Sequence, residues 1–231
     1  MCLAAIVQRI TGLGFALVGT PALVLLTGAV EGVLVTLVMS VLVSLAMMLT
    51  MWKDIDWKRS GVLVLTGAIA AVPAAWVTFA IPPAWLMILI GVAALLSLLG
   101  GHLMRPSGSP LGLRSAAVAG GAAGFLHVTS GLSGPPLVIY GLRSAWAQRS
   151  FVASLQLVFV VFGLLGLALR GAPSMPLGEL GILTAVVLAG LGLGTLAARR
   201  IPTRIARMAM LAVAWIGTVA VLIRGIVSLL V

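Results

Sequence analysis

The sequence predicts an all-α polytopic membrane protein made of two inverted repeats. Each repeat is an interrupted, re-entrant helical segment followed by three transmembrane helices. Three observations predict this. Apolar residues make up 62% of the 231-residue chain and charged residues 8%, whereas a soluble domain carries about 25% charged residues. Apolar runs of spanning length follow one another along the chain, leaving no room for a soluble domain. Short motifs near the start return roughly 120 residues later.

The runs, taken in order, are unequal in kind. Met1–Thr27 is long and interrupted by Gly12, Gly14, Gly19 and Pro21. Val33–Trp52, Gly61–Ala80 and Trp85–Met104 are uninterrupted spans. Residues 105–114 form a loop rich in Pro, Ser and Gly that separates a first repeat, 1–104, from a second, 115–231. Ser115–Leu142 is again long and is broken by Gly131, Ser133, Gly134, Pro135 and Pro136. Phe151–Leu169, Leu177–Ala198 and Ile205–Val231 complete the second repeat. Only helices and closed barrels satisfy their backbone in lipid. Barrel strands are alternating segments of about ten residues, and these runs are too long and too uniformly apolar for that.

The repeat rests on three anchors. Thr11-Gly12-Leu13 recurs as Ser130-Gly131-Leu132 at an offset of 119, and Ile81-Pro82-Pro83 as Ile201-Pro202-Thr203 at 120. Between them Ala70 and Ala74 correspond to Gly190 and Gly194, small residues four apart that let helices approach closely. Loop charge then orients the halves. If all eight segments crossed once, six basic residues (Lys53, Lys58, Arg59, Arg105, Arg114, Arg170) would oppose six others (Arg143, Arg149, Arg199, Arg200, Arg204, Arg207). If Ser115–Leu142 enters and returns to the same side, only Arg170 lies opposite the rest, as the positive-inside rule requires. Glu31 then falls on the outer face. The competing reading of both interrupted segments is a kinked spanning helix with packing glycines.

Composition excludes several function classes. The chain has 14 Lys+Arg against 4 Asp+Glu, but the basic residues sit singly or in small groups between apolar runs, which marks cytoplasmic loops rather than a nucleic-acid surface. Cys2 is the single cysteine, which excludes an intrachain disulfide and a thiolate metal site. No cofactor and no metal are expected. The N-terminus shows no cleavable-signal pattern. Trp52, Trp57, Trp85 and Trp146 lie at segment ends and read as an interfacial belt.

The two breaks carry the candidate chemistry. Glycines let the chain reverse and let a ligand approach the backbone: Gly12 and Gly14 in the first break, Gly131 and Gly134 in the second. Prolines suit the first turn of a returning half-helix, a role expected of Pro21, Pro135 and Pro136. With about 12 residues on each side, the half-helices reach the midplane and point a positive dipole end at a cavity. Thr11, Ser130 and Ser133 add hydroxyl donors, and Gln8, Thr20 and Thr129 complete the polar set. The expected ligand is a small anion and the expected activity secondary transport. A coupling proton or sodium ion and a homo-oligomer are left open, and lipid is the surrounding partner.

His127 is a proton shuttle or an anion donor in this reading, against a structural bond to a backbone carbonyl. Thr36, Ser40 and Ser44 form a polar stripe on one helix, set apart from the breaks, and Ser154 and Gln156 are equally ambiguous. Gly131-Leu132-Ser133-Gly134 also matches the Gly-x-Ser-Gly pattern of intramembrane serine hydrolases. That chemistry needs a histidine beside the serine, and His127 is six residues earlier, a poor fit if both lie on one helix. A membrane assembly or scaffold protein is the remaining alternative.

The two glycine-proline segments, the Asp54-Ile55-Asp56-Trp57-Lys58 loop and the two Ile-Pro turns together resemble the sulfite exporter TauE/SafE family, also called the toluenesulfonate uptake permease family. The resemblance covers essentially the whole chain. It implies a bacterial inner-membrane transporter for sulfite, sulfonates or related organosulfur anions. The family's glycine-rich break falls on Thr11, Gly12, Gly14 and Pro21, and its second copy on Ser130, Gly131, Ser133, Gly134 and Pro136. The sequence departs from the family in two ways. Phe15 and Ala16 stand where members often continue a glycine run, and the second break reads as compressed by four residues.

Overall fold

The structure, a computed structural model, describes residues 1–103, 111–198, 200 and 202–230, without the side chains of 100–103, 203, 204, 206 and 207. Most of the expected 105–114 loop, Arg199, and the side chains of His102, Arg204 and Arg207 therefore lie outside the described residues. Among the described residues there are ten α-helices and no strand.

The first half runs α1 (Cys2–Thr11), α2 (Phe15–Thr27), α3 (Ala29–Met51), α4 (Trp57–Ala80) and α5 (Pro83–Leu103). The second runs α6 (Leu113–Ser130), α7 (Gly134–Arg143), α8 (Gln148–Arg170), α9 (Leu177–Ala197) and α10 (Thr203–Leu230). Five helical stretches are long and apolar enough to cross a membrane: Ala29–Asp54, Trp57–Ala80, Gln148–Arg170, Leu177–Ala197 and Met208–Leu230. The helix expected from Val33 starts four residues earlier. Gly28, at φ 93°, turns the chain, and Glu31 sits in the first turn where the helix dipole favours an acid.

Side-chain partners fix which helix ends lie together. Asp54 and Arg149 form an ion pair of 2.9 Å, the Arg59 guanidinium stands 5.0 Å over the Trp146 ring, and the Asp56 N–H donates to Ser154 Oγ. The end of α3, the start of α4 and the start of α8 thus share one basic end. At the opposite end Glu31 accepts from the N–H and hydroxyl of Ser174 and from the N–H of Met175. Thus α3 and α8 run antiparallel. So do α5 and α10, where Gly91 faces Leu222 and Gly225 faces Ile88. The same partners put Arg149 beside the Lys53–Arg59 loop, at one end of the helices.

At each break the two flanking helices pack on each other. Leu111, Ser115, Pro136 and Arg143 line one groove between α6 and α7. Met1 lies against Gly19, so α1 folds back beside α2. Gly14 just before α2, and Pro21 and Leu25 on it, face Met210, Gly217 and Arg224 on α10 in the same order, so α2 runs parallel to α10. The half-helices are not uniformly 12 residues: α1, α2, α6 and α7 have 10, 13, 18 and 10.

The hairpins pack through glycine. A Cβ on Gly124 would sit 2.3–2.6 Å from the Gly67 backbone, and one on Gly120 2.6 Å from the Leu63 carbonyl oxygen. The α4 and α6 backbones therefore touch. The corresponding contact of α1 with α9 uses the expected pair Gly190 and Gly194, with Cys2 O and Ile6 Cα as the neighbours. Without a hydrophobic driving force in lipid, such close packing is what holds helices together. Trp52, Trp57 and Trp85 are exposed as an interfacial belt requires, but Trp146 is half-buried among Tyr140, Phe151 and Arg59.

Candidate anion site

The two breaks have the same design. Gln8 O accepts from the Gly12 N–H at 2.8 Å, and His127 O from the Gly131 N–H at 2.8 Å. Gly12 and Gly131 then adopt φ 77° and 72°, the left-handed turn that ends each helix. Each break is three residues long, 12–14 and 131–133. The expected four-residue compression is therefore absent. It came from aligning Pro21 with the second-break prolines, but Pro21 is the seventh residue of α2, packed on Gly217, whereas Pro135 and Pro136 do stand in the first turn of α7.

Between the breaks lies a cavity of about 70 Å³. One water centre needs ~10–15 Å³, so it has room for a few waters or one small ion. Gln8, Leu13, Gly14 and the first turn of α2 line one side, and His127, Gly131, Leu132, Ser133 and Gly134 the other. Ser40, Ser97 and Phe159 close it. Ser40 is therefore part of the wall rather than remote from the breaks. Among the described residues no lining residue is Asp, Glu, Lys or Arg.

The donors are partly those expected. At the start of α2 the Phe15 N–H donates to Gln8 Oε1 at 3.0 Å and the Val18 N–H to Gly14 O. Among the described residues the N–H groups of Ala16 and Leu17 have no partner, and both residues line the cavity. The start of α7 is poorer, because Pro135 and Pro136 carry no N–H and leave Gly134 as the donor of that turn. Two of the expected hydroxyls bond backbone carbonyls. Thr11 bonds the carbonyls of Val7 and Leu13, and Ser130 bonds Leu126 O at 2.6 Å. Both hydroxyls are taken by backbone at the helix end and line no part of the cavity. Thr129 likewise bonds Phe125 O, and Thr36 of the polar stripe bonds Gly32 O. Gly12 faces Val152 instead of the cavity, while Thr20 is buried beside Gly131 with its hydroxyl unpartnered.

Ser133 and His127 do meet. His127 Nδ1 and Ser133 Oγ share a hydrogen bond of 3.0 Å, because the chain reverses at Gly131 instead of continuing one helix. His127 Nε2 is buried without a partner, and the ring lies parallel to Phe159 and tilted against Phe162. The serine–histidine contact that a hydrolase would need is thus present. Among the described residues no carboxylate bonds the ring.

Two supports were not legible as such. Gln156 Nε2 donates to Gly12 O at 3.0 Å while Gln156 Oε1 accepts from Gln8, so α8 clamps the first break. Arg170 Nη1 donates to Val128 O at 2.6 Å and holds the end of α6. A buried glutamine on α8 and a lone arginine at its end are their only sequence signals.

The family model described as Sulfite exporter TauE/SafE matches residues 1–221. The chain belongs to the sulfite exporter TauE/SafE family. It is accordingly a multi-pass membrane protein of a transporter family. No match was found among curated proteins or among solved structures.

Proposed function

We propose that the chain is a secondary transporter for small oxyanions, sulfite and sulfonates foremost, in a bacterial inner membrane. The anion is held in the cavity between the two breaks. One observation carries this: Ala16 and Leu17, whose N–H groups at the start of α2 are unpartnered, and Ser133 line one small cavity that has no carboxylate among the described residues. Backbone donors at a helix start suit an anion, and a site without fixed charge lets the anion leave as well as enter. Reconstituted protein is expected to move radiolabelled sulfite across liposome membranes at a rate that protein-free liposomes do not reach. Equal rates would remove the reading. Ser133→Ala and Ser40→Ala are each expected to weaken binding by about 1 kcal/mol, roughly five-fold, for one neutral hydrogen bond.

The same proposal includes two inverted repeats, 1–104 and 115–231, with both hairpins re-entrant. It is supported by the antiparallel α3/α8 and α5/α10 pairs. The basic end is cytoplasmic. Single cysteines placed in a Cys2→Ser background test this. Ala172 is exposed between α8 and α9 and is expected to react with an impermeant maleimide from outside, while Ala147, exposed at the basic end, does not. Ser144 is a poor reporter because it is buried. Outside labelling of Ala147 would overturn the topology.

A further inference from the structure

We propose that His127 is the proton-binding residue of this site, so that each anion is taken up together with one proton. The inference rests on the reading of the cavity as the anion site. Among the described residues His127 is the one titratable side chain lining the cavity, and it is 1% exposed. Its Nδ1 is engaged with Ser133, and its Nε2 is buried with no partner.

Among the described residues the charged groups around it supply no counter-charge. Arg114 lies on α6 itself. Lys58 and Arg59 stand at the start of α4, with Asp56 capping that helix and paired to Arg59. Tyr140 and Arg143 lie on α7, and α5 has no acidic residue. On α8, Arg149 is paired to Asp54 and Arg170 is bonded to Val128 O. A positive imidazolium between Phe159 and Phe162 is therefore uncompensated while the cavity is empty. An anion in the cavity supplies the missing charge. By linkage, whatever favours the proton in the presence of the anion favours the anion in the presence of the proton. The proton moves onto a ring nitrogen of His127, the ring becomes imidazolium, and a monoanion plus proton crosses as a neutral pair.

Methanesulfonate is the probe, because it stays fully ionised over the range tested and the protein's own proton can be counted. Binding to the full chain in detergent is measured by titration calorimetry between about pH 5 and pH 8, in two buffers of different ionisation enthalpy. Affinity is expected to fall by about tenfold per unit rise in pH, with one proton taken up per anion. His127→Gln, which keeps a polar group beside Ser133 and cannot carry charge, is expected to bind with no proton uptake and no pH dependence. Ser133→Ala is expected to bind more weakly and still take up the proton. Parent binding that is flat with pH and releases or takes up no proton overturns the inference and leaves the anion site standing. Proton uptake that persists in His127→Gln overturns the assignment to this residue. Absence of methanesulfonate binding at every pH overturns the anion site and the inference with it. If His127→Gln does not fold, the parent pH series and Ser133→Ala decide.

Discussion

Gly124→Ala is expected to lower the thermal stability of the purified protein more than any single methyl added elsewhere on α6. The added Cβ would lie 2.3 Å from Gly67 O, 2.4 Å from Gly67 Cα and 2.6 Å from Gly67 C. All three are backbone atoms, so no rotamer change relieves the contact. The helices must separate, and the space in front of Gly67 is filled as well, since a Cβ there would meet Phe162 at 2.1 Å and Gly120 O at 2.9 Å. Overpacking a well-packed contact costs about 1–3 kcal/mol, and helix separation along the whole α4–α6 seam takes the upper end. Gly61→Ala is the control, because nothing lies within 4 Å of its Cβ and alanine favours a helix over glycine by roughly 0.5–1 kcal/mol. Melting followed by tryptophan fluorescence in detergent measures both. A Gly124→Ala protein that melts with the parent would mean that α4 and α6 do not touch. The consequence reaches the site, because α6 carries His127, and a displaced α6 separates that ring from Ser133.

What was legible in the sequence follows from which forces are local. The plain spans were readable because lipid demands about 20 apolar residues per crossing, and α4, α8, α9 and α10 begin and end within a few residues of the apolar runs. The breaks were readable because a left-handed turn favours glycine, and Gly12 and Gly131 occupy it. Pro21 was misplaced by the same logic. An interior proline is tolerated in a membrane helix when neighbours accommodate it, and Gly217 leaves room for the ring. Thr11 and Ser130 look like ligand donors in one dimension, but each reaches a carbonyl four residues back, which is ordinary for hydroxyls in helices. The His127–Ser133 pair was missed for a geometric reason. Six residues on one helix point roughly 240° apart, and only the reversal at Gly131 brings the two side chains together. The Gln156 clamp and the Arg170 strut join residues more than 40 positions apart, which no local pattern encodes.

Gly131→Val is expected to abolish anion binding and transport, and the reason lies in the backbone as much as in the space. Gly131 is at φ 72°, where a residue with a Cβ is strained by about 1–2 kcal/mol, and a β-branched one more so. An added Cβ would meet Thr20 Oγ1 at 3.2 Å and Thr36 Cγ2 at 3.8 Å. The side chain of valine extends beyond that point, so the second tip is pushed off α2 and α3. Ser133 and Gly134 follow directly in the chain, and both line the cavity. They move with the tip, away from Ala16 and Leu17 on the other side of the cavity. Strain and displacement can be separated by Gly131→Asn, since asparagine accepts the left-handed conformation better than other residues with a Cβ and still wedges against Thr20. That variant is expected to melt closer to the parent than valine does, yet to bind methanesulfonate at least tenfold more weakly. If either variant folded and moved sulfite at the parent rate, the tip of the second hairpin would be structural and the anion would bind elsewhere.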